Sequence, residues 1–234
     1  SSRGRVLISH KYKCIFIHIP KCAGTSIETA LGHLDNHEGR GGQDHRGVRL
    51  IEKPFPNYHA IKSKENIIET LRRLKHYNIS SKLDNPNNHS AVSKLEYNSY
   101  FKFSFVRNPW ARVYSWYKNV LRDADHRRIL GIQPEIEFHQ FLDKFIGQGA
   151  LRPQTYWLKD FRGEIKLDFV GRFENLSTDF DVVRGALNLH DLELPHKLNR
   201  GSSSYLKAYD YPTKKLVSDV YREEIDLFGY KFDE

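Results

Sequence analysis

The residues of this 234-residue chain that could do chemistry concentrate in two short stretches. Residues 16–26 read FIHIPKCAGTS, so a cation, Lys21, follows a proline and precedes a glycine and two hydroxyls, Thr25 and Ser26. A tight turn there offers backbone N–H groups, and the positive end of a following helix adds to them, so the stretch can cradle a phosphate. It is not a Walker A loop. The pattern G-x-x-x-x-G-K-S/T is absent and the lysine precedes the glycine, which counts against an ordinary ATPase or kinase. The bland alternative is a capped helix after a proline turn. Residues 105–117, FVRNPWARVYSWY, set Arg107 where a strand ends. Ser115 follows about two helical turns later, so a forked donor and a hydroxyl could face one phosphate. The bland reading of Arg107 is a surface ion pair. For Trp110, Tyr114 and Tyr117 the preferred reading is packing on a helix face.

The elements that must position these residues alternate between strand and helix. Residues 13–19 (KCIFIHI) form a β-branched and aromatic run that reads as a buried strand. Pro20 ends it, and TSIETALG, capped by Thr25 or Ser26 and closed by Gly32, reads as a helix. Residues 33–62 read as loop with a short helix at 46–52. Residues 64–77 form an amphipathic helix with Ile67, Ile68, Leu71 and Leu74 on one face. An Asn-rich exposed loop at 78–90 leads to a strand at 101–106 and a helix over 110–122, where Pro109 is tolerated because its missing N–H would be unpaired anyway. A helix at 137–146, a strand at 167–174, and helices at 179–187 and 213–227 follow. Strand, turn, helix, repeated, predicts an α/β protein with a mainly parallel sheet, and ligands in such folds sit at the carboxyl ends of the strands.

Composition narrows the class. Hydrophobic residues make up 39% and charged residues 28%, a globular balance with no repeat or low-complexity linker, so one domain over 1–234 is expected. Two cysteines cannot staple a secreted mini-domain. No apolar run reaches the length of a membrane span, so no membrane contact is expected of this chain. The 37 Lys and Arg against 29 Asp and Glu leave +8, which favours anionic partners such as nucleotide phosphates or sulfated and carboxylated glycans. No DNA-reading or zinc-finger pattern occurs, so nucleic acid is not expected as a partner. No HExxH or CxxC stands among the twelve histidines and two cysteines, so no metal is expected.

Together the two stretches resemble the sulfotransferases that use 3′-phosphoadenosine 5′-phosphosulfate (PAPS), most closely their carbohydrate-type branch. Residues 20–26, PKCAGTS, match that family's 5′-phosphosulfate loop, and residues 107–115 match its 3′-phosphate motif. RPQTYWL (152–158), FVGRFENL (169–176) and FGYKF (228–232) are also similar to that branch, so the resemblance covers about residues 13–232. It implies a P-loop-like α/β fold in which a mainly parallel central sheet is flanked by helices. It implies that Lys21, Cys22, Ala23, Gly24, Thr25 and Ser26 grip the 5′-phosphosulfate, that Arg107 and Ser115 bind the 3′-phosphate, and that Arg172 and Arg200 line the nucleotide. PAPS is then the co-substrate, and the acceptor a carbohydrate hydroxyl. Alternatives are a small-molecule alcohol, phenol or peptide tyrosine, a P-loop-like kinase, and a non-catalytic glycan binder.

Sulfuryl transfer is an in-line displacement with charge building on the leaving phosphate, where Lys21 can meet it without a metal. The acceptor hydroxyl needs a general base. His45, in QDHRGVRLI, resembles a family segment in which a histidine opens a short helix, provided 53–98 is an enlarged insertion. His89, in NHSAV, competes with it. Cys22 reads as a packing residue, because transfer proceeds directly to the acceptor. A cytoplasmic, bacterial-type enzyme is expected. The alternative is a Golgi-lumen domain behind an anchor outside this sequence, which the Asn-x-Ser triplets at Asn78, Asn88 and Asn175 permit.

Overall fold

A computed structural model describes residues 8–32, 45–52, 57–78, 92–195 and 203–234. Among these residues the strands are β1 (Ile8–Ser9), β2 (Cys14–Ile17), β3 (Phe101–Val106) and β4 (Phe169–Arg172). The helices are α1 (Gly24–Ala30), α2 (Val48–Ile51), α3 (Lys64–Asn78), α4 (Lys94–Ser99), α5 (Pro109–Arg122), α6 (Ala124–Leu130), α7 (Phe138–Phe145), α8 (Thr155–Leu158), α9 (Leu176–Leu187), α10 (Tyr211–Val220) and α11 (Arg222–Phe228). Two compact units share them. One, the sheet unit, takes Ser1–Ile19, Ala23–Val106 and Thr155–Lys197; the other, the helical unit, takes Pro20–Cys22, Arg107–Gln154 and Leu198–Glu234.

In the sheet unit the strand order is β1-β2-β3-β4. β1 runs antiparallel to β2, whereas β2, β3 and β4 are parallel, with Phe16 opposite Phe103 and Phe105 opposite Gly171. The expected α/β class with a mainly parallel sheet is what the chain adopts. β2 is buried along its whole length, as a strand covered on both faces must be. Phe16 and Phe103 stack at 5.0 Å, and the buried Ser104 hydroxyl donates to the Ile17 carbonyl at 2.7 Å, which removes the cost of a polar group in the core. Position 171 requires glycine: a Cβ there would stand 2.5 Å from the Phe105 ring. α9 packs on β3 and β4.

α3 reverses the expectation for its faces. The helix forms, but Ile67, Ile68, Leu71 and Leu74 are exposed, Leu71 by 61%, while Asn66, Glu69, Thr70 and Arg73 are buried. The inward side chains carry their own partners. Asn66 Nδ2 donates to the carbonyls of His59 and Phe161 at 2.8 and 3.0 Å, and its Oδ1 accepts from Arg49 at 3.0 Å. Thr70 donates to the Ala60 carbonyl, and Glu69 accepts from Tyr156 and Arg72. Hydrogen bonding to irregular backbone, not apolar burial, fixes this helix.

The helical unit is built on α5. Asn108 caps it, accepting from the N–H groups of Trp110 and Ala111, with Pro109 in the first turn. Trp110 donates to the Lys214 carbonyl at 3.0 Å and its own carbonyl accepts from Tyr209 at 2.8 Å, while Tyr114 and Tyr117 pack on Phe138. The single closing helix expected over 213–227 is two, α10 and α11, meeting at Tyr221. Its hydroxyl donates to the Leu151 carbonyl at 2.5 Å and accepts from the Gly147 N–H, and that anchorage bends the chain. Three helices had no counterpart in the periodicity, α4, α6 and α8. The first two have a local signal instead: the capping box of Ser93 and Glu96, and Asp123 accepting from two N–H groups.

Candidate functional site

In the helical unit the chain from Pro20 to Cys22 forms a turn whose centre, Lys21, has φ 68°, and Ala23 follows at φ 65°. Left-handed backbone at two non-glycine residues is strained, and such strain persists only where its surroundings enforce it. The surroundings here are buried side chains aimed at carbonyls. The Arg112 guanidinium, 1% exposed, donates to Pro20 at 3.1 Å, Arg152 at 3.0 Å and Ala150 at 2.6 Å. Arg107 Nη1 donates to the Lys21 carbonyl at 3.2 Å. Gln154 braces Arg107 at both ends of its backbone: Oε1 accepts its N–H and Nε2 donates to its carbonyl, each at 2.8 Å. The same amide accepts from the Cys22 thiol at 3.3 Å and donates to the buried Glu224 at 2.8 Å. Cys22 is thus buried and hydrogen-bonded in the packing.

The Lys21 ammonium donates to Asn119 Oδ1 at 3.4 Å. Burial first, then the charges of Arg107 and Arg122, lower its pKa to about 8. Ser115, Asn119 and Arg122 recur at helical spacing along α5, so one face of the helix carries a hydroxyl, an amide and a cation. Asn119 and Arg122 escaped the sequence reading. Their signal was their place four and seven residues beyond Ser115.

In the sheet unit the chain leaves β2 through His18, whose Nδ1 lies 2.5 Å from Glu28 Oε1. Both are buried, at 2% and 1% exposure. The His18 ring lies on Gly24, where a Cβ would come within 1.8 Å of Nε2, so α1 must begin with glycine. On its other side the ring meets His45 edge-on at 4.4 Å between centroids. His45 is exposed, with Nδ1 3.4 Å from the His18 carbonyl oxygen and its own carbonyl accepting from the Trp157 indole at 3.0 Å. Donation from Nδ1 leaves Nε2 as the lone-pair nitrogen, the arrangement a general base needs. Burial raises the Glu28 pKa to about 7, against a smaller downward pull from His45. Neither His18 nor Glu28 was singled out by the sequence. The available signal was an acid beside Ile27 on the inner face of α1.

Lys21, Cys22 and Arg107 therefore stand together in the helical unit, with Ser115 on the helix that also carries Asn119. Ala23, Gly24, Thr25, Ser26, His45 and Arg172 belong to the sheet unit. Arg172 ends β4 opposite Val106, and its N–H donates to Asp179 at 2.6 Å. His89 and Arg200 lie outside the described residues. Among the described residues no group of three His, Cys, Asp or Glu could hold a metal ion, and no helix is long and apolar enough to cross a membrane.

The family model described as "Sulfotransferase family" matches residues 4–231. Carbohydrate sulfotransferase 14 of Danio rerio is 21% identical over 204 residues, covering 76% of this chain and 47% of that protein. The chain spans about half the length of this curated relative. No solved structure matches it. The match to a carbohydrate sulfotransferase of Danio rerio overturns the expectation of a cytoplasmic, bacterial-type enzyme. The cytoplasmic expectation rested on scarce cysteines. Cys14 and Cys22 are both buried thiols outside any disulfide, and such thiols carry no signal of compartment.

Proposed function

Because the chain belongs to the sulfotransferase family, we propose that it moves the sulfuryl group of PAPS to a hydroxyl of a carbohydrate in the Golgi lumen. A single sulfotransferase domain over 1–234, with 53–98 as its variable insertion, is part of the same reading. The observation that carries it is the cation cluster at Lys21. A half-buried lysine beside Arg107 and Arg122 holds its proton loosely, and a bound anion relieves all three charges at once.

In this reading the turn residues Lys21, Cys22, Ala23 and Gly24, with the hydroxyls of Thr25 and Ser26, hold the 5′-phosphosulfate. Arg107 and Ser115 take the 3′-phosphate, and Arg172 and Arg200 line the nucleotide. His45 Nε2 accepts the proton of the acceptor hydroxyl as its oxygen bonds to sulfur. The bond from sulfur to the phosphate oxygen breaks in line, and Lys21 meets the charge that develops there. The products are a sulfate ester and adenosine 3′,5′-bisphosphate. The donor supplies an activated sulfuryl group, so no covalent enzyme intermediate and no nucleophilic role for Cys22 is required.

The test is incubation with radiolabelled PAPS and a panel of glycans and small alcohols, followed by mass analysis of the product. Labelled ester is expected on a glycan. His45→Ala is expected to abolish turnover while still binding the bisphosphate, and His89→Ala to keep both. Phosphate transfer from ATP without sulfuryl transfer would overturn the reading, and wild-type turnover by His45→Ala would pass the role of base to His89.

A further inference from the structure

The buried Glu28–His18 pair has no part in the proposed transfer as written, yet it lies directly beneath the proposed base. A carboxylate and an imidazole, both almost sealed from water, are costly to place in a core, and they persist where their charge or geometry is used. Three contacts define what this pair can do. Glu28 fixes the His18 ring through Nδ1 at 2.5 Å. That ring is the surface on which His45 rests, edge-on at 4.4 Å, while the His18 carbonyl faces His45 Nδ1 at 3.4 Å. Oε2 of Glu28 is buried without a hydrogen-bond partner among the described residues, so the carboxylate keeps unspent capacity to interact with charge nearby.

We propose that Glu28, acting through His18, is a positioning residue for His45: it orients the base and supplies the negative charge that the His45 imidazolium meets after taking the acceptor's proton. The proposal rests on the reading of His45 as the base. Among the described residues, the titratable groups facing Glu28 are His18, from the chain leaving β2, and His45, from the chain ahead of α2. Attraction between Glu28 and His45 is reciprocal: what draws the Glu28 pKa down from its burial-raised level also holds a proton on His45. Loss of the carboxylate therefore makes His45 a weaker base, with its titration at lower pH. A purely packing role predicts no such movement.

The experiment compares Glu28→Gln, Glu28→Asp and His45→Ala with the wild type, reading kcat and KM across pH and bisphosphate affinity as the check on folding. For Glu28→Gln, kcat falls roughly 10- to 100-fold, the range seen when the group orienting an imidazole is removed. KM for the donor is expected to stay within about twofold, because neither residue is among those assigned to hold the donor. The acidic limb of the kcat/KM profile moves to lower pH, and Glu28→Asp recovers part of both effects. An acidic limb that stays in place in Glu28→Gln overturns the proposal, whether or not kcat falls. If Glu28→Gln fails to bind the bisphosphate, Glu28→Asp decides: a smaller shift of the limb in the same direction supports the role, and an unmoved limb removes it. Wild-type turnover in His45→Ala would instead mean that the reading of the base has failed. Loss of turnover in His45→Ala beside an unmoved limb in Glu28→Gln would mean that this proposal alone has failed.

Discussion

Lys21 carries its charge against its surroundings: burial, Arg107 and Arg122 together bring its pKa from 10.5 to about 8. An anion placed against it favours the protonated form, so binding and protonation are linked. Affinity for adenosine 3′,5′-bisphosphate should therefore be nearly flat below pH 8. Above it the Kd should rise by up to about tenfold per pH unit, as one linked proton requires. Lys21→Arg holds its charge at every accessible pH and should show no such rise. Calorimetric titration across this range checks it, and equal slopes in the two proteins would remove Lys21 from the phosphate. The linkage also reaches the fold. The unfolded chain keeps this proton to about 10.5 while the free folded protein loses it near 8, so this group's contribution to stability improves between those values. Lys21, Arg107 and Ser115 stood out as candidates in the sequence because each stands in a dense local motif. His18 and Glu28 did not, because their meaning lies in a contact between the end of a strand and the inside of a helix, of which the acid beside Ile27 gives one half and no partner.

Elements whose burial is simple were read from the chain almost residue for residue. FKFSFV gives β3 over Phe101–Val106 because alternate partners cover both of its faces, and Asn108 and Pro109 mark the start of α5 without ambiguity. α3 shows where that logic stops. Its periodicity identified a helix, but a helical stripe does not say which side faces inward. Here the polar side does, since Asn66 and Thr70 satisfy the carbonyls of His59, Phe161 and Ala60. The two faces should respond oppositely to substitution. Leu71→Gln should change stability by no more than about 0.5 kcal/mol, the usual range for a surface site. Asn66→Ala leaves two carbonyls and Arg49 short of a partner and should cost about 1–3 kcal/mol for each group left buried and unsatisfied. Urea unfolding at constant m-value measures both. A larger loss from Leu71→Gln than from Asn66→Ala would place the apolar stripe against something in solution.

At the scale of the whole molecule, the most general property is the excess of 37 basic over 29 acidic side chains. Net charge acts at long range on the rate and strength of encounter, and salt screens it over about 10 Å at 0.1 M and about 3 Å at 1 M. Under the proposed function it would discriminate among acceptors in a way that no single motif does. If the carbohydrate acceptor is itself a polyanion, with carboxylate or sulfate groups along its chain, the basic surface contributes to capturing it. KM for a carboxylated or sulfated polysaccharide should then rise severalfold between roughly 50 and 500 mM salt, while KM for a neutral oligosaccharide moves less than about twofold. With donor saturating, kcat should change little for either, because the chemistry proceeds inside contacts that screening does not reach. Initial rates with matched charged and neutral acceptors across this salt series make the measurement. Parallel rises for both acceptors would assign the positive charge to the donor site alone. A flat response for the polyanion would show that the surplus cations play no part in choosing what is sulfated.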